Sequence, residues 1–531
     1  MTASSSLPGL SGGKIAVDTL GSWARQHPNR SALTFTDRPD PITYATLDER
    51  STRIANALAE RGIRPGEVVA FLLPTGPAIV EVAWAAQRSG LIYTAISTRL
   101  SPDEVAFIVR DSGARCLIYD SSLAPRVASL IADGTLRRLV VLAVRSGDST
   151  APVGEYLAAA ASAASPVPDP SWAEGTDMLY SSGTTGRPKG VFRPFNGRPA
   201  GTPDSATTLA VERFGLSSDS VFLDTGPLYH AAPLRYTLAP HRLGAHSVVL
   251  PSFDAEEFLR TVERYRVTEA LLVPTMFIRL LRLAPHVRDR YDLSSLRSVW
   301  HGAAPCPRDV KKAVIDWLGP ILIENYGGTE GNGVTVVDSH TWLSRPGTVG
   351  RAVRGTIRIL DEDGKVLPPR SVGLVYFEGG MRFKYHNDPG KTAAAYNSQG
   401  WSTMGDMGWL DEDGFLYLSD RRTHLIISGG VNVYPRAAED ALSLHPLVED
   451  VVVVGVPDPE FGEQVKAVVQ LRDPTAAGAD TAHRLIDFCR DRLDHIACPR
   501  SVDFVDTLPR EPTGKITTRK VKARYWPEGA L

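Results

Sequence analysis

"VVAFLLPTGPAIVEVAWAAQRSGLIYTA", from Val68 to Ala95, moves from one unbroken apolar run through a helical pattern to a second apolar run. Val68 to Leu73 are apolar without interruption until Pro74 stops them, as expected of a strand covered on both faces. Ile79 to Arg88 follow helical spacing, and Leu91 to Ala95 read as the next strand. Upstream, Leu47, Ile54, Ala55 and Leu58 recur at helical spacing between Thr46 and Leu58. Downstream, "SPDEVAFIV" predicts a helix with Ser101 as N-cap, Pro102 as first helical residue and Glu104 as reciprocal capping partner; "CLIYD", Cys116 to Asp120, predicts another strand. This alternation predicts α/β architecture with mixed, largely parallel sheets. Pro74, Gly76, Pro77 and Glu81 interrupt the most apolar early region and argue against a membrane span there.

At 531 residues the chain exceeds one ordinary domain and can bury a large core. A formal charge of -2 with 43% hydrophobic and 22% charged residues shows no polyanion-binding bias, which disfavours nucleic acid as a partner. "MTASSSLPGLSGGK" lacks a basic start followed by an apolar run and reads as a polar leader, so the cytoplasm is the expected location. Cys116, Cys306, Cys489 and Cys498 form no CxxC pair, matching neither a disulfide framework nor a zinc site; inert, buried thiols are expected. "YLAAAASAASPVPDP", Tyr156 to Pro170, reads as a surface helix end or connector. The polar cluster in "LSDRRTHLIISGG" suggests a boundary, with a large N-terminal α/β domain over residues 1–421 and a small α+β C-terminal domain over 422–531.

"SSGTTGRPKGV", Ser181 to Val191, obeys neither helical nor strand periodicity. Following the strand-like "MLY", it suits a loop whose backbone N–H groups, hydroxyls and two cations converge on an anion. It is not a Walker loop, because Pro188 stands five residues after Gly183 and Val191 five after Gly186. By itself it is either a phosphate grip of another kind or a flexible polar turn.

Further motifs weigh on that choice. The loop, "ENYGGTEG" (Glu324 to Gly331), "GWSTMGD" (Gly400 to Asp406), "VVVVGVPDPEFGEQVKAVV" (Val451 to Val469) and "LPREPTGKITTRK" (Leu508 to Lys520) together resemble, in order, the signatures of the adenylate-forming superfamily of acyl-CoA synthetases, peptide-synthetase adenylation domains and firefly luciferase. The resemblance is to the acyl-CoA synthetase branch. It implies attack of a carboxylate on the α-phosphorus of ATP to give an acyl-adenylate and pyrophosphate, with Mg²⁺ offsetting phosphate charge, and then transfer to coenzyme A.

The resemblance also implies residue roles. Ser181, Ser182, Gly183, Thr184, Thr185, Gly186 and Lys189 would close over the β- and γ-phosphates; Thr329 would contact the α-phosphate and Glu330 help hold Mg²⁺. Tyr326, with Asn325 beside it, would stack on adenine opposite the flat wall of Gly302, Ala303, Ala304 and Pro305. Asp406 would accept from the ribose hydroxyls, and Arg421 would contact ribose or phosphate. Lys515 would bridge the carboxylate and the α-phosphate. His230, Pro233 and Leu234, with Gly302, Gly327 and Gly328, would line the acyl side, although Pro233 and Leu234 could equally be core. Ser428, Gly429 and Gly430 would form the CoA-side loop, with Thr423 as the hinge of a mobile C-terminal domain.

The chain departs from the family at that hinge: Asp420 stands in place of a glycine, Thr423 in place of Asp or Lys, and His424 follows. Two outcomes stand open, tolerated drift or adenylation without efficient CoA transfer. In the latter, acyl-AMP passes to a separate ligase or carrier protein. A non-catalytic nucleotide sensor is a third reading, disfavoured by the full set of transition-state groups. "LYHAAPLR" lacks an acid to hold a substrate amine, so the resemblance favours an apolar carboxylic acid, bulky or polycyclic ones included, over an amino acid; "KGVFRPFNG" resembles synthetases for bulky acids. Oligomeric state is left open.

Overall fold

The computed structural model describes residues 19–526 except 39, 146–153, 182–187, 194, 422–423, 429–430 and 511–515. Among them, a six-stranded all-parallel sheet runs in the order Glu155–Tyr156, Val140–Val144, Cys116–Asp120, Val68–Leu72, Ile92–Ala95, Thr176–Asp177. Strand alternation divides its core: Val69, Phe71 and Leu73 join the helices Tyr44–Glu60 and Pro77–Arg88 on one face. Val68, Ala70 and Leu72 join the helices Pro102–Asp111 and Ala124–Ala132 on the other. The expected capping box is present, with Ser101 accepting from the Glu104 N–H and Glu104 accepting from the Ser101 N–H. Such a cap is worth about 1 kcal/mol.

A second sheet has thirteen strands among the described residues. Its central strands Leu322–Gly327, Ser298–His301, Glu269–Leu272, Val221–Asp224, His246–Val249 and Ser31–Phe35 are parallel neighbours. Beyond Leu322–Gly327 the sheet becomes antiparallel, through Val334–Asp338 and Thr348–Arg354 to Leu416–Arg421 and Ser402–Leu410. Short connections, one of them carrying the six-residue helix Ser339–Ser344, replace long crossovers there, so periodicity in the first half does not announce this antiparallel half.

The glycine-rich run connects a hairpin instead of leading from a strand to a new element. Leu179–Ser181 pairs antiparallel with Lys189–Phe192, bringing Ser181 opposite Lys189. Lys384–Tyr385 adds a third strand.

Toward the C-terminus, Ile426–Ser428, Val431–Val433, Val448–Asp458, Gly462–Leu471 and Ser501–Phe504 form a separate sheet. The helices Arg436–Ser443 and Ala479–Arg490 cover it around Val451, Val453, Val465 and Leu485. No helix among the described residues is long and apolar enough to cross a membrane. The four cysteines are unpaired; Cys116, Cys489 and Cys498 are buried, whereas Cys306 is half-buried. Burial pushes the Cys489 thiol up to about 12, so it stays protonated and poorly nucleophilic.

Candidate active site

In a parallel sheet, segments leaving the carboxyl ends of adjacent strands meet in one crevice. Here those segments are Gly226–His230 after Val221–Asp224, Val273–Phe277 after Glu269–Leu272, and Gly302–Pro305 after Ser298–His301. Asn325–Glu330 completes the row at the end of Leu322–Gly327.

Close backbone packing explains the small residues. A Cβ on Gly302 would lie 2.6 Å from the Asn325 carbonyl oxygen, and Ala303 sits in the left-handed region at φ 63°. An L-residue there stores strain, on the order of 1–3 kcal/mol. Beneath this wall, Lys311 Nζ and Glu324 Oε2 form a buried ion pair at 2.7 Å. Burial, with Lys311 nearby, holds His301 well below its usual pKa and therefore neutral.

Tyr326 donates its hydroxyl to Asp406 Oδ2 at 2.6 Å, and its ring stacks on Phe377 with centroids 6.3 Å apart. Asp406 is buried on Ser402–Leu410, where antiparallel register puts it opposite Arg421. Two motifs 80 residues apart are thus joined by one hydrogen bond.

The turn after Tyr326 holds a compact charge relay. Lys189 Nζ donates to the Tyr385 hydroxyl at 3.0 Å, and that hydroxyl donates to Glu330 Oε1 at 2.8 Å. Lys189 Nζ also stands 3.5 Å from the same carboxylate oxygen. On the other side, Arg193 Nη2 donates to the Thr329 carbonyl at 2.8 Å. Gly328 has no room for a Cβ, which would meet Met404 Sδ at 2.3 Å and Glu330 Oε2 at 2.6 Å. Gly327 is less constrained, 3.1 Å from the Gly333 carbonyl by the same measure.

His230 precedes the helix Ala231–Leu238 and meets Tyr229 edge-on at 4.7 Å between centroids. Gly226 lets that helix approach, since its Cβ would fall 2.6 Å from Pro233 Cγ. Leu234 is fully buried in the core with Leu228 and Leu238. Asp224 is also fully buried; it accepts from the Gly226 N–H at 2.7 Å and the Thr237 hydroxyl at 2.9 Å, stapling loop to helix. Burial outweighs those bonds and raises its pKa to about 7. Arg235 fixes the same helix to the six-stranded sheet through two bonds to Asp177, at 2.6 and 2.8 Å.

Ser428 is buried at the end of Ile426–Ser428. Ser182, Gly183, Thr184, Thr185, Gly186, Thr423, Gly429, Gly430 and Lys515 lie outside the described residues, as does the Arg421 side chain. The structure thus brings Lys189, Thr329 and Glu330 together, and Tyr326 with Asp406. It adds Tyr385, Arg193 and Asp224, which sequence reasoning missed. Only Arg193 had a signal, as a second cation shortly after Lys189 in the glycine-loop continuation.

Among the described residues no cluster of three or more His, Cys, Asp or Glu side chains could hold a metal ion. A single acid such as Glu330 nevertheless suits Mg²⁺, which commonly takes one or two carboxylates and completes its shell with water and substrate phosphate oxygens.

Cationic side chains around a glycine-rich turn at the strand ends, with a tyrosine–carboxylate pair alongside, define a nucleotide-activating enzyme. The chain belongs to the AMP-binding enzyme family, whose models match residues 20–384 (AMP-binding enzyme) and 437–515 (AMP-binding enzyme C-terminal domain). It is 36% identical over 519 residues to a feruloyl-CoA synthase of an Amycolatopsis species, covering 95% of this chain and 99% of that one. It resembles ATP-bound MatB from Rhodopseudomonas palustris with a TM-score of 0.79 at 27% identity, covering 96% and 99% of the two chains. The amide bond synthetase McbA from Marinactinospora thermotolerans gives a TM-score of 0.78 at 29% identity, with 96% and 100% covered. Within the adenylate-forming enzymes the chain lies in the acyl-CoA synthetase branch, as an AMP-forming acid–thiol ligase using ATP, Mg²⁺ and coenzyme A.

Proposed function

We propose that this enzyme activates an apolar carboxylic acid, with aryl and bulkier ring-bearing acids the favoured class, and transfers it to coenzyme A. The arrangement of Lys189, Tyr385 and Glu330 beside Thr329 carries the reading. The similarity to a feruloyl-CoA synthase supports an aryl acid. In the first half-reaction a carboxylate oxygen bonds to the α-phosphorus as its bond to the pyrophosphate oxygen breaks. No proton need move. In the second, the CoA sulfur attacks the acyl carbonyl, AMP leaves with the bonding electron pair, and the thiol proton passes to solvent.

The roles follow from charge. Lys189 and the Ser181–Gly186 loop bind the outer phosphates, while Thr329 orients the α-phosphate and Lys515 meets the negative charge that builds there. Glu330 holds Mg²⁺, which offsets phosphate charge when bound. Asn325 and Tyr326 flank adenine against Gly302, Ala303, Ala304 and Pro305; Asp406 and Arg421 hold the ribose. His230, Pro233, Leu234, Gly302, Gly327 and Gly328 border the acyl group, and Ser428, Gly429 and Gly430 border CoA. The N-terminal domain ends at 421 and the C-terminal domain begins at 422, with Thr423 as hinge; Leu416–Arg421 and Ile426–Ser428 lying in different sheets support that division. The cytoplasm is the proposed location.

A second reading has acyl-AMP delivered to a different acceptor, such as a carrier protein or separate ligase. Thr423 and His424 at the hinge favour it, as does the likeness to an amide bond synthetase. Carboxylate-dependent exchange of labelled pyrophosphate into ATP, across fatty, aryl and polycyclic acids, tests adenylation. Acyl-CoA assayed in parallel tests transfer. Failure of every acid to drive exchange rejects the proposal.

A further inference from the structure

Lys189 opens the strand Lys189–Phe192 and Arg193 follows its last residue. Between them Val191 faces Tyr385 in antiparallel register. The two cations reach consecutive residues of one turn: Lys189 reaches Glu330 through Tyr385, and Arg193 reaches the Thr329 carbonyl. The turn is shaped to receive the guanidinium. Gly331 adopts φ 66°, and a Cβ there would come within 2.8 Å of Arg193 Nη2.

The Arg193 guanidinium is also left with an unmet donor. Its Nε is sealed from solvent and has no hydrogen-bond partner. The leading charges acting on it are Arg235, Asp177, Asp204 and Arg354. Arg235 takes up Asp177 with both carboxylate oxygens, while Arg354 bonds the Ser205 carbonyl and Met381 sulfur. Asp204 caps the helix Ser205–Phe214 by accepting from the Thr207 N–H. Burial lowers the Arg193 pKa to about 10, which leaves it charged at neutral pH. An enclosed guanidinium with an unmet N–H is costly, so an arriving anion is stabilised there.

We propose that Arg193 is a positioning residue for adenylation, which clamps the Gly328–Gly331 turn through the Thr329 carbonyl and supplies the positive charge behind it that favours a bound α-phosphate. This rests on the function proposed above and adds to it a cation that belongs to neither the glycine loop nor the C-terminal region.

The test uses full-length protein with Arg193→Lys and Arg193→Met, comparing affinities for AMP and adenosine and measuring pyrophosphate exchange. Arg193→Met should weaken AMP by about tenfold or more, and Arg193→Lys, which keeps the charge but not the clamp, by less, while both leave adenosine within about twofold, since only AMP carries the phosphate. Exchange should lose about 30-fold in kcat in Arg193→Met with a smaller change in KM for ATP, and Arg193→Lys should recover part of the loss. Equal weakening of AMP and adenosine, or unchanged AMP affinity, overturns the assignment. Should Arg193→Met fail to fold, the AMP-to-adenosine ratio in Arg193→Lys decides. Wild-type protein without carboxylate-dependent exchange overturns the proposed function and this inference together; wild-type exchange with an unshifted ratio overturns this inference alone.

Discussion

Arg282 Nη1 lies 2.7 Å from Glu449 Oε2, joining the end of the helix Pro274–Leu281 to the strand Val448–Asp458 of the C-terminal sheet. The same guanidinium reaches the Val448 carbonyl at 3.2 Å, while Arg472 competes for Glu449 at 3.8 Å. The pair is a latch between the two parts of the molecule, partly open to solvent.

Arg282→Ala should cost under about 1 kcal/mol of stability because solvent screens the pair. If the C-terminal domain turns between half-reactions, loss of a latch made in one orientation should change the ratio of acyl-AMP to acyl-CoA formation rates about two- to fivefold. Single-turnover measurements of both products check this. A ratio equal to wild type would show that the latch has no part in the alternation.

Tyr385→Phe removes the hydroxyl linking Lys189 to Glu330 while keeping the ring packed against Phe383. The loss should lower adenylation kcat by about tenfold, corresponding to one hydrogen bond of about 1.4 kcal/mol. Glu330→Gln should fall further and need more Mg²⁺ for half-maximal exchange. An unchanged Mg²⁺ dependence in Glu330→Gln would remove that residue from the ion's site.

Asp224 has a pKa raised to about 7 in the folded protein, above its unfolded value. Its protonated form is therefore favoured by folding: the stabilisation is complete below the unfolded pKa and is lost as pH rises through about 7. Asp224→Asn should match wild type in melting temperature near pH 4 and exceed it near pH 8, by on the order of 2–4 kcal/mol in stability. Thermal melts at the two pH values measure the difference. A constant offset between variant and wild type would show that burial of the charge is not what sets Asp224 apart.

With Lys515 in its proposed role, Lys515→Ala should depress acyl-adenylate formation by about 10²-fold or more with less effect on ATP affinity, because that charge would matter most as the transition state forms. At the proposed hinge, prompt acyl-CoA production by the isolated wild-type protein would support CoA as acceptor despite Thr423. Accumulated acyl-AMP with CoA present would favour a separate acceptor. Thr423→Asp and Thr423→Lys would then be assayed for recovery of the second step.

The amino-acid order by itself determined the alternating first half, because a fully apolar strand and an amphipathic helix each carry their period locally. Val68–Leu72, Pro77–Arg88 and the Ser101–Glu104 cap lie where that periodicity and capping chemistry put them. The glycine loop, "ENYGGTEG" and "GWSTMGD" were legible as motifs through their resemblance to family signatures, and in "ENYGGTEG" Gly328 has no room for a Cβ. Partnership was not legible. Tyr326 with Asp406, Tyr385 with Glu330, and Arg193 with Thr329 are separated by 80, 55 and 136 positions, and no local period relates them. The hairpin around the glycine loop and the antiparallel half of the large sheet were likewise decided by tertiary structure. Strand pairing depends on which edges meet when the chain closes, and the burial of Arg193 Nε without a partner beside the Thr329 carbonyl follows only from that closure.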